Sequence, residues 1–65
     1  MITTKVKAAL LDEPPVKSAE INVETFKGVV QLSGFVSSAA AESTAVAVAR
    51  KVAGVKSVKN DMRLK

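Results

Sequence analysis

Residues Glu20 to Val36 alternate apolar and polar side chains on either side of a Lys27-Gly28 pair, and this pattern limits the fold more than any other stretch. Period-two alternation is that of a strand buried on one face. Lys27-Gly28 is a two-residue turn in which Gly accepts the positive φ of a primed turn. A two-residue loop sets the register: Phe26 opposite Val29, Thr25 opposite Val30, Val23 opposite Leu32 and Ile21 opposite Gly34. In that register Ile21, Val23, Thr25, Val30 and Leu32 share one face, and Asn22, Glu24, Gln31 and Ser33 share the other. A slip of one residue would destroy the match.

The flanking segments have helical spacing. Ile2, Val6, Ala9 and Leu10 form one face of a helix of about ten residues, which Thr3 or Thr4 could cap and which Pro14-Pro15 ends. Its start, so near Met1, is expected to fray. A second helix spans Ala39 to Ala53, with Ser38 as N-cap, Glu42 in the first turn, Arg50 and Lys51 in the last, and Gly54 as its terminator. From Val55 the pattern alternates again, with Val58, Asn60, Met62 and Leu64 against Lys59, Asp61, Arg63 and Lys65. The expected fold class is α+β: a small αββαβ module whose three-stranded mixed sheet carries two helices on one face and leaves the other face open.

Sixty-five residues hold only one core. Ala and Val supply 21 of the 31 apolar side chains, so that core is thin. The longest apolar run, Ala45 to Ala49, is far short of the ~20 residues a membrane-spanning helix needs. Cys and His are absent, which removes disulfides, thiolate metal sites and the usual imidazole base and ligand. The remaining acid pairs, Asp12 with Glu13 and Glu20 with Glu24, sit in a polar turn and on the water side of a strand. The chain is therefore expected to be no enzyme and to use neither metal nor cofactor.

The net charge of +4 is unevenly spread. Residues 1–49 carry four basic groups against five acids, whereas residues 50–65 carry six basic groups against Asp61 alone. Such a surplus suits an anionic partner, nucleic acid or a membrane surface. For nucleic acid the signs are poor, since no GxxG phosphate clamp is present and two Phe make a weak stacking platform. A membrane surface needs cations beside apolar groups that can dip into headgroups. Lys5 and Lys7 on the first helix, or Lys59 and Arg63 near Phe26, meet that need, with the C-terminal surplus taken to face the lipid. Phe35 reads two ways, exposed on the open face or turned inward by a bulge at Gly34. Gly34 faces the core side, where a side chain would collide with a helix. Asn60 falls on the core side too, and is expected to tie the loop around Gly54 to the sheet.

The runs Gly28-Val29-Val30-Gln31-Leu32-Ser33-Gly34-Phe35-Val36 and Val52-Ala53-Gly54-Val55-Lys56-Ser57-Val58-Lys59-Asn60, preceded by Ile2-Thr3-Thr4-Lys5-Val6-Lys7-Ala8-Ala9-Leu10, resemble a BON domain over essentially the whole chain. The structural motif residues in that likeness are Gly28, Gly34, Gly54 and Asn60. The resemblance implies the same element order and a non-catalytic module of the bacterial periplasm or cell envelope. It further implies binding to anionic phospholipid in osmotic or envelope stress protection. Members usually carry a signal peptide and often a tandem copy, and neither is seen in these residues. Residues 1–65 are accordingly expected to be one BON-like domain of a longer exported protein. The alternative partner is an envelope protein, or a second BON domain, docked on the open sheet face.

Overall fold

A computed structural model describes residues 2–16 and 20–65. Helix α1 (Ile2–Leu11) is followed by a short 3-10 turn (Pro14–Val16), strands β1 (Glu20–Phe26) and β2 (Val29–Val36), helix α2 (Ala39–Lys51) and strand β3 (Ser57–Leu64). The sheet order is β1-β2-β3, with β1 antiparallel to β2 and β3 parallel to it. The expected mixed sheet and element order are both present.

The hairpin takes the register expected of a two-residue loop, from Phe26↔Val29 to Glu20↔Phe35 without a skipped residue. Lys27 and Gly28 both have positive φ, 49° and 83°, as a primed turn requires. Because the ladder has no bulge, Phe35 stays on the open face, 47% exposed.

Both helices pack on the other face. Along α2 the buried positions are Ala41, Ala45 and Ala49, spaced one turn apart, so the helix backbone rests close on the sheet. Leu32, Val30 and Val36 of the central strand share one buried cluster with Val6 and Leu10 of α1, and Met62 joins it from β3. Ser38 caps α2 as expected, its Oγ accepting from the Ala41 N–H at 3.1 Å. Val16, carried by the 3-10 turn after the two prolines, is also buried and packs against α2, although nothing in the periodicity marked it.

Four local expectations are corrected. Thr3 and Thr4 lie inside α1, and the Thr3 hydroxyl bonds instead to that of Thr25 at 2.8 Å, joining α1 to β1. Helix α2 ends at Lys51, because Val52 turns extended (ψ 133°). Gly54 (φ 92°) belongs to the following turn, closed by the Val55 N–H on the Val52 carbonyl, and lies against Ile2. A Cβ on Gly34 would meet the backbone of β1 at Glu20 rather than a helix. Asn60 is exposed, and its Oδ1 accepts from the Met62 N–H at 2.9 Å rather than tying down the Gly54 loop.

Candidate functional site: the open sheet face

The face without helices carries Asn22, Glu24 and Phe26 from β1, Val29, Gln31, Ser33 and Phe35 from β2, and Ser57, Lys59, Asp61 and Arg63 from β3. This follows from the two registers and from side chains alternating along each strand. Two aromatic groups mark its ends. Phe26, beside the hairpin turn, is 72% exposed, and Val29 next to it is also exposed. Phe35 lies at the far end, paired with Arg63 across to β3.

The Phe26 end holds the richer set of chemical groups. The Lys27 ammonium sits 5.3 Å from the centroid of the Phe26 ring, a cation–π distance. A shallow cleft of about 790 Å³ spreads from this pair, with Lys59, Gln31 and Glu24 on its open-face side and Thr3 of α1 at its other margin. The tip thus offers apolar surface, two ammonium groups and one opposing carboxylate. Nearby, the Gln31 amide donates to Asp61 at 2.6 Å, so the acid of β3 is occupied by a neighbour on β2.

The five residues singled out for binding are not all brought together. Phe26 and Lys59 share the cleft. Arg63 does not, because β3 runs parallel to β2: Ser57 and Lys59 lie near the turn, and Arg63 is four residues, about 13 Å, farther along beside Phe35. Lys5 and Lys7 are exposed on α1, in the helix layer on the opposite side of the sheet. The C-terminal cations do not all face one surface either. Arg50 and Lys51 are on α2, Lys56 precedes β3, and the Lys65 ammonium approaches the Glu20 carboxylate at 3.8 Å with both groups exposed. Lys27 went unmarked in the sequence because its counterpart, the ring of the preceding residue, is reached only when both residues sit at a primed turn.

Among the described residues, no group of three acidic side chains is placed to hold a metal ion, and no helix is long and apolar enough to cross a membrane.

The family model for the BON domain matches residues 1–65. The chain is similar to osmotically-inducible protein Y of Escherichia coli (strain K12), with 51% identity over 63 residues. That alignment covers 97% of this chain and 31% of the relative, so the chain spans about a third of the length of the curated protein it matches. The αββαβ fold, the unbroken hairpin and the full-length match agree: this chain belongs to the BON domain family.

Proposed function

We propose that this chain is a non-catalytic module of the bacterial cell envelope that binds anionic phospholipid surfaces through the Phe26 end of its open face. The protein it serves would act in osmotic or envelope stress protection. Membership of the BON family and likeness to an osmotically inducible protein support the setting. The observation that carries the lipid reading is the exposed Phe26 ring with Lys27 above it and Lys59 across the same cleft.

The magnitudes place this in the weak regime. Each ammonium near an anionic leaflet contributes about 1 kcal/mol, so Lys27 and Lys59 together give about 2 kcal/mol, and Glu24 offsets part of it. Full insertion of the Phe26 ring adds about 1.5–3 kcal/mol. The total, about 3–4 kcal/mol, corresponds to millimolar affinity for one module. Useful residence on a membrane then calls for a second linked copy raising the effective concentration.

Co-sedimentation with vesicles of phosphatidylglycerol, compared with pure phosphatidylcholine, tests the reading. Two linked copies of the chain should pellet with the anionic vesicles alone, less so as salt rises, and the pair Phe26→Ser with Lys27→Glu should abolish the effect. Equal pelleting of variant and wild type, or none at low salt, overturns it. Docking of an envelope protein or sister domain on the open face is the second reading, favoured by the exposed Phe35 at the far end beside Arg63.

A further inference from the structure

Among the described residues, strand β3 is paired on one side only. The groups it presents on the other side follow from the registers. Phe26 and Val29 are the closing, hydrogen-bonded pair of a two-residue hairpin, so odd-numbered residues of β2 turn their backbone groups toward β1 and even-numbered ones toward β3. In a parallel pair those even residues bond odd-numbered residues of β3, as the Lys65 N–H does to the Val36 carbonyl at 2.8 Å. The N–H and C=O groups of Val58, Asn60, Met62 and Leu64 therefore point outward. They repeat about every 6.6 Å over about 20 Å, a template for another strand. One outward donor is intercepted, for Asn60 Oδ1 accepts the Met62 N–H.

Asn60 also lines a groove of about 510 Å³ against α2, where Val46 provides an apolar floor and Arg50 and Lys51 provide charge. Lys56 and Arg50 line a neighbouring hollow at the start of β3, and Lys59 and Arg63 project from the opposite face of the same strand. Five of the six cations of the C-terminal third thus border this edge. Against them stand Glu42, which lines the groove, and Asp61, which already holds Gln31.

We propose that the outer edge of β3, with the α2 groove beside it, is a strand-addition site for an extended acidic peptide segment, and that the Asn60 carboxamide is its latch. In the free chain the latch satisfies Met62. On binding it swings away, and the guest backbone takes the Met62 N–H together with the free groups of Val58, Asn60 and Leu64. Alternate guest side chains would face Arg50 and Lys51 on one side and Lys59 and Arg63 on the other. The regular row of backbone donors and acceptors favours a peptide over a lipid headgroup, which would use the charge alone. A second copy of this chain is a poorer guest because it would bring both sets of cations together.

The probe is the peptide acetyl-Glu₃-Val-Glu₃-amide, which carries carboxylates on both faces of an extended strand, titrated into the ¹⁵N-labelled chain. At saturation, hydrogen exchange should slow at least about tenfold at Val58, Asn60 and Leu64, in keeping with newly formed ladder bonds, and remain unchanged at the β2-facing amides of β3. Asn60→Ala should tighten binding severalfold by removing the latch. Arg50→Glu with Lys51→Glu should weaken it at least tenfold, and Phe26→Ser should leave it unaffected, separating this site from the lipid reading. The proposal is overturned if β3 exchange does not slow, if a peptide with proline replacing the central valine binds as well, or if anionic vesicles protect the same amides.

Discussion

Gly34→Ala should be the most damaging single methyl that can be added to this sheet. Gly34 has φ 117°, a region that side-chain-bearing residues rarely adopt, and a Cβ there would overlap the carbonyl oxygen of Glu20. Backbone strain of this kind costs about 1–3 kcal/mol. Relieving the overlap means parting β1 from β2 where Glu20 pairs with Phe35, with the loss of one or two ladder hydrogen bonds at about 1 kcal/mol each. The sum, about 2–5 kcal/mol, is a large share of the roughly 3–10 kcal/mol that a domain of 65 residues possesses. Urea unfolding followed by far-ultraviolet circular dichroism measures it, with Ser33→Ala on the adjacent, open-face position as control. If Gly34→Ala lies within about 1 kcal/mol of the wild type, the close approach of β1 to β2 at this point does not exist.

Val23 is buried opposite Leu32, so Val23→Asp should place a carboxylate in the core without a partner and leave the chain unfolded, whereas Glu24→Lys one residue on should melt near the wild-type midpoint. The same Glu24→Lys change should raise affinity for phosphatidylglycerol vesicles in co-sedimentation, because it removes the carboxylate that opposes Lys27 and Lys59 in the cleft. Thr3→Val should cost about 1 kcal/mol in thermal or urea unfolding, since the part-buried Thr25 hydroxyl loses its partner. Ala45→Leu should cost about 1–3 kcal/mol by the same measurement, as the helix has no space beneath it for a larger side chain.

The hairpin was legible residue by residue because two independent constraints, a period of two and a two-residue turn, agree on one register. Ser38 was legible for a similar reason: a hydroxyl before an Ala-rich helix has one obvious role. Val16 was not, since a lone apolar residue after two prolines has no period to join. The joint placement of Phe26 and Lys59 depends on β3 lying parallel and in step with β2, which the alternation of β3 alone leaves free. Arg63 shows the cost of that freedom, as it has the same alternation phase as Lys59 yet lies at the far end of the sheet. Asn60 was assigned to the correct side of the strand but the wrong partner, because an edge strand lets a side chain fold back on its own backbone, an option unavailable in a central strand.

The stripe of Ala41, Ala45 and Ala49 bears on how the fold responds to temperature. A helix resting on methyl groups removes little apolar surface from water per residue, and exposure of such surface is what makes the heat capacity of unfolding positive. For an ordinary domain of this length the increment is about 0.8–1 kcal/mol/K, and this one should fall at or below the lower figure. A small increment flattens the dependence of free energy on temperature. The module should hold a modest, nearly constant stability from the cold to moderate heat, and lose it over a broad melting transition.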